Sequence, residues 1–77
     1  MPVLDSVNLA FQEGTSDKVY NVSLTEEGGV FTVVAFWGKR GAKLTMTEKY
    51  SGSDKSAAVA AYGGAVGEKT KKGYQSV

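Results

Sequence analysis

Cysteine and histidine are both missing from this 77-residue chain, and the two absences remove whole branches of chemistry. Without cysteine there are no disulfide staples, no thiol nucleophile and no thiolate metal cluster. Without histidine, acid/base work near neutrality loses its usual group, and a serine nucleophile would depend on a lysine base. No lysine stands at a spacing that nominates one. Hydrophobic runs are short: none approaches the roughly 18 residues that span a bilayer. Met1 to Asp5 carries no basic stretch ahead of an apolar one. The expectation is an unprocessed, cytoplasmic chain with no membrane segment. It should fold as one domain over residues 1–77, near the size where a single apolar core only just offsets chain entropy.

What is present is strongly polarised. Residues 1–36 hold one cation, Lys18, against five carboxylates, whereas residues 37–77 hold eight cations against three, so a net charge of +1 conceals halves of −4 and +5. The sign changes at Trp37-Gly38-Lys39-Arg40-Gly41, where the only tryptophan meets a glycine-flanked, doubly cationic turn. A flat ring beside fixed positive charge suits a ligand that offers a stacking face and a phosphate. Segregated charge speaks to partners and encounter rates rather than to fold.

Apolar alternation marks the strands. Val3, Val7, Leu9 and Phe11 form the first, and Glu13 to Asp17 supplies turn chemistry. In Lys18 to Leu24 the alternation is clean, with Tyr20, Val22 and Leu24 inward and Asn21 and Ser23 outward. Glu26-Glu27-Gly28-Gly29 is a hairpin signal. The third strand, Val30 to Trp37, has two apolar faces: Phe31, Val33, Ala35 and Trp37 on one, Val30, Val34 and Phe36 on the other. Leu44, Met46 and Tyr50 continue the alternation in a fourth.

The period then changes. Ser51 or Ser53 can cap a helix, with Asp54 in its first turn, Lys69, Lys71 and Lys72 near its C-terminal end, and Gly73 as a stop. Ala58, Val59, Tyr62, Val66 and Thr70 recur at three and four. Gly63, Gly64 and Gly67 weaken this helix by about 0.8 to 1 kcal/mol each relative to alanine. Of the three, Gly63 lies nearest the stripe and suits a close approach of helix to sheet. The expected fold is α+β, a four-stranded antiparallel sheet with one C-terminal helix across one face.

No catalytic constellation emerges. Glu26 and Glu27 sit in a hairpin turn, where both carboxylates stay solvated. Gly38-Lys39-Arg40-Gly41 lacks the long glycine-rich stretch and the Lys-Ser/Thr ending of a nucleotide loop. Neither metal nor cofactor is expected. Individually, the cations have ordinary readings: Lys18 suits an edge strand, Lys69, Lys71 and Lys72 a helix C-terminus, and Tyr74 packing on the sheet.

Taken in order along the chain, Lys18 to Leu24, the glycine hairpin, Phe31-Thr32-Val33, Trp37-Gly38-Lys39-Arg40-Gly41, and the helix ending Glu68-Lys69-Thr70-Lys71-Lys72-Gly73-Tyr74 resemble a WGR domain over about residues 4–77. That module is found in DNA-damage-dependent poly(ADP-ribose) polymerases and in small bacterial proteins. The resemblance implies a sheet with one helix across it, and DNA binding near strand breaks. Trp37 would be the platform, Lys39 the motif cation, and Lys18 and Tyr74 further backbone contacts. Lys39 stands where the signature has arginine, replacing a planar fork by a point charge. Arg40 stands where valine or isoleucine is usual and offers a guanidinium one residue later. Asp17, next to Lys18, would repel a phosphate.

Two functions follow. The first is a non-catalytic module that contacts DNA backbone or strand ends through Trp37, Lys39, Arg40, Lys18, Lys43 and Tyr74 without reading sequence. The second is a protein-interaction or self-association module whose apolar strip, Val34 and Phe36, pairs with another chain or a second copy. The charge segregation favours nucleic acid.

Overall fold

The computed structural model describes residues 3–76. The first three alternating segments are strands β1 (Val3–Glu13), β2 (Ser16–Glu27) and β3 (Val30–Lys39), followed by β4 (Thr45–Gly52), helix α1 (Lys55–Lys71) and a two-residue strand β5 (Gln75–Ser76). The four long strands form an antiparallel meander, and β5 adds a short fifth on the outer edge of β1, giving the order β4-β3-β2-β1-β5. The β2–β3 hairpin closes on two glycines, Gly28 and Gly29, both at positive φ (58° and 82°). A two-residue connection needs that geometry to match the twist of its strands.

Side chains of one parity line up in rows across the sheet. One row runs Val7, Val22, Ala35, Thr47; the next runs Leu9, Tyr20, Trp37, Thr45; and the last runs Phe11, Lys18, Lys39. The helix lies over the middle of this face. Leu9, Tyr20, Val22, Leu24, Val33 and Ala35 are buried beneath it together with Ala58 of the helix itself, and Ala61, Tyr62, Ala65 and Val66 close the packing. Completely burying a valine such as Val22 or Val33 contributes roughly 1.5 to 3 kcal/mol.

Several expectations are corrected. The helix is capped by Asp54, whose Oδ1 accepts from the Ala57 backbone N–H at 3.2 Å, so neither Ser51 nor Ser53 is the cap. Tyr50 secures the same end, its hydroxyl accepting from the Asp54 N–H at 3.3 Å. The buried stripe is made of alanines, Tyr62 and Val66; Val59 is 48% exposed and Thr70 is exposed. Gly63 does not mediate a close approach, because a Cβ built there meets nothing within 4 Å. In β4 the alternation breaks at a bulge: Val34 faces Glu48 while Val33 faces Tyr50. The extra residue, Lys49, changes the parity, which turns Tyr50 toward the core and leaves Met46 outside, 60% exposed. Lys18 is not on an edge strand, since β2 lies between β1 and β3.

Candidate nucleic-acid interface

The helix stops before the sheet does. Gly73, at φ 104°, turns the chain after the C-cap Lys72, with the Tyr74 N–H donating to the Lys69 carbonyl and the Gly73 N–H to the Thr70 carbonyl. This pair of bonds ends the helix and reverses the backbone. Tyr74 is thereby laid against Phe11 and Tyr20, with ring centroids 5.5 and 6.4 Å apart. Beyond it the last rows of β2 and β3 lie uncovered. The result is an open hollow of about 660 Å³, lined among others by Lys18, Tyr20, Trp37, Lys39, Lys69 and Tyr74.

Trp37 is part of this lining. It pairs across the sheet with Tyr20 on the row that would extend the core, yet it is 42% exposed. Its indole Nε1 donates to Thr47 Oγ1 at 3.1 Å. That bond fixes the ring while leaving much of its surface open. One row further out, Lys18 and Lys39 face each other directly, and both line the hollow. Like charges in directly opposed positions of an antiparallel pair are destabilising. The fold tolerates that pair at the mouth of the hollow, next to an exposed indole.

Two further amines complete the cationic lining. Lys49, displaced by the bulge in β4, borders the hollow, and so does Lys69 from the last helical turn. The Lys69 Nζ lies 4.7 Å from the Tyr20 ring centroid and 5.9 Å from that of Tyr74. Both distances are within cation–π range. Lys69 therefore does more than complement the helix dipole. Sequence reasoning missed its place in the site, and the signal available was its spacing of five residues before Tyr74, across the Gly73 stop.

Of the residues expected at the site, Trp37, Lys39, Lys18 and Tyr74 come together in the hollow, and Arg40 and Lys43 stand outside its lining. Arg40 is turned toward the β1–β2 end. Its Nε donates to Asp17 Oδ1 at 2.8 Å, and its backbone N–H donates to the Asp17 carbonyl at 2.9 Å. Gln12 Nε2 adds a longer bond of 3.4 Å to the same carboxylate. The hydrogen bond from Arg40 holds the Asp17 carboxyl below the ordinary aspartate range. Lys43 is exposed in the β3–β4 connection. No cluster of three or more acidic, histidine or cysteine side chains is placed to hold a metal ion among the described residues. No helix among them is long and apolar enough to cross a membrane.

The fold and the hollow together define a small α+β module, one helix across an antiparallel sheet, with an open aromatic and cationic surface at one end. The chain belongs to the WGR family, whose domain model matches residues 6–77, essentially its whole length. WGR domains are in general small nucleic-acid-binding modules, not catalytic ones. No match was found among curated proteins, nor among solved structures.

Proposed function

We propose that the hollow binds DNA through its backbone or a strand end, with no dependence on base sequence. Trp37 offers a stacking surface to a sugar or base, Lys18 and Lys39 take phosphates, and Tyr74 and Lys69 line the inner wall. The observation that carries this reading is the direct opposition of Lys18 and Lys39 beside the exposed indole. A bound phosphate would convert a repulsive pair into a bridged one. Lys43, on the adjoining turn, would contribute long-range attraction to the strand.

The test uses Lys18→Met and Lys39→Met. Removing either amine relieves the opposed charges, so each variant should be as stable as the parent or more stable by up to about 1 kcal/mol in urea unfolding. Each should nevertheless bind a short blunt-ended duplex more weakly, and the slope of log K against log salt should shrink by about 0.9 for one lost phosphate contact. Unchanged affinity and unchanged slope in both variants would remove the phosphate role.

A second reading has its own support. Phe36 (36% exposed) and Met46 (60% exposed) are cross-strand partners on the sheet face opposite the helix, with Val34 half-buried beside them. This strip would serve contact with another protein or a second copy. If it supports self-association, sedimentation velocity should show a concentration-dependent rise that Phe36→Lys abolishes; a monomer at every concentration would discard self-association.

A further inference from the structure

Asp17 poses a problem for a site that receives phosphates. It borders the hollow and adjoins Lys18, which faces Lys39 across the sheet. A bare carboxylate there would oppose the same anion that the two amines attract. The chain places Arg40 on it. Arg40 follows Lys39 directly but bonds Asp17 twice, by Nε to Oδ1 at 2.8 Å and by its backbone N–H to the carbonyl at 2.9 Å. Both side chains stay part-exposed, at 47% and 36%, so this is a surface pair of small intrinsic worth to stability. Its value lies in the field at the mouth of the hollow.

We infer that Arg40 acts on the ligand through Asp17, masking its charge and tying the start of β2 to the end of β3, and is a positioning residue rather than a phosphate contact. This inference rests on the reading of the hollow as a polyanion site. It also explains the arrangement of the cationic turn: Lys39 faces the hollow and Arg40, next in the chain, faces away from its lining. The guanidinium does not stand in for an arginine at position 39.

A double-mutant cycle tests it, with wild type, Arg40→Ala, Asp17→Asn and the double variant titrated into a labelled blunt duplex at about 50 mM salt. Arg40→Ala uncovers one negative charge. Affinity should fall about three- to eightfold, as for a unit charge roughly 7 Å from a phosphate at an effective dielectric of about 80 to about 40. Asp17→Asn should bind at least as tightly as wild type, and the double variant, in which this pair again carries no net charge, should recover to within about twofold of wild type. A loss of stability alone would not be repaired by removing the second partner. A double variant as weak as Arg40→Ala, with the salt slope reduced by about 0.9 in both, would make Arg40 a direct contact and overturn the inference. Wild type that binds no duplex would overturn the polyanion reading and this inference with it; wild type that binds, without recovery in the double variant, overturns this inference alone.

Discussion

Replacing Gly63, Gly64 and Gly67 together by alanine should raise the melting temperature by about 10 to 20 °C. All three lie inside α1, and a Cβ built at each meets nothing within 4 Å. The substitution therefore adds helix propensity without a steric penalty, at about 0.8 to 1 kcal/mol per position. The sum is roughly 2 to 3 kcal/mol, and in a domain of this size each kcal/mol shifts the midpoint by about 4 to 8 °C. Part of the gain comes from the unfolded chain, which loses conformational freedom when glycine is replaced. None of the three lines the hollow, so DNA affinity should not change. Thermal unfolding followed by circular dichroism decides it. A midpoint that stays put or falls would mean that a Cβ at these positions is not free of contact, or that the helix is not continuous through them.

The second large effect concerns binding. Trp37→Ala should leave the domain folded at 25 °C and weaken DNA binding by about 5- to 150-fold, the span for losing one aromatic stacking surface worth about 1 to 3 kcal/mol. A tryptophan enclosed in a core costs about 3 to 5 kcal/mol when truncated to alanine. Trp37 is 42% exposed, and none of the fully buried large side chains, Leu9, Val22 and Val33, is its direct cross-strand partner. The expected stability loss is about 2 kcal/mol, less than the total for an ordinary domain. Trp37→Leu keeps apolar cover over Tyr20 and separates the two contributions: it should regain most of the stability and little of the affinity. Urea unfolding and DNA titration on the same preparations measure both. Unfolding of Trp37→Ala, or full affinity in Trp37→Leu, would contradict the platform role.

How much of this could be read from the chain depends on the range of the interactions concerned. The alternation in β2 and β3 is a local property, and Tyr20, Val22, Leu24, Val33 and Ala35 are buried as their spacing predicts. Gly28 and Gly29 report a turn geometry that few other residues adopt, so that hairpin was readable too. That Met46 and Tyr50 lie on opposite faces was not, because a bulge adds a single residue and reverses every later assignment. β5 is too short to carry a period. That Trp37, Lys18, Lys39 and Tyr74 share one hollow was readable through the order of their motifs. Lys69 was hidden because a cation in a last helical turn has an ordinary explanation, and its approach to Tyr20 requires the helix to cross β2 at that height. The pairing of Arg40 with Asp17 joins residues 23 apart in the chain. Nothing local signals it.

The proposed polyanion site is a single surface made by the open face of Trp37 and the opposed amines of Lys18 and Lys39. Trp37 is the only tryptophan, so its emission reports occupancy of the hollow without any label. A short blunt duplex titrated into the wild-type protein at about 50 and about 200 mM salt should quench that emission saturably. The affinity should drop by about 10- to 150-fold between the two salts, as for two to four phosphate contacts. Emission that does not change up to about 100 µM duplex at the lower salt, where even non-specific binding at about 10⁻⁴ to 10⁻⁶ M would register, would contradict the account.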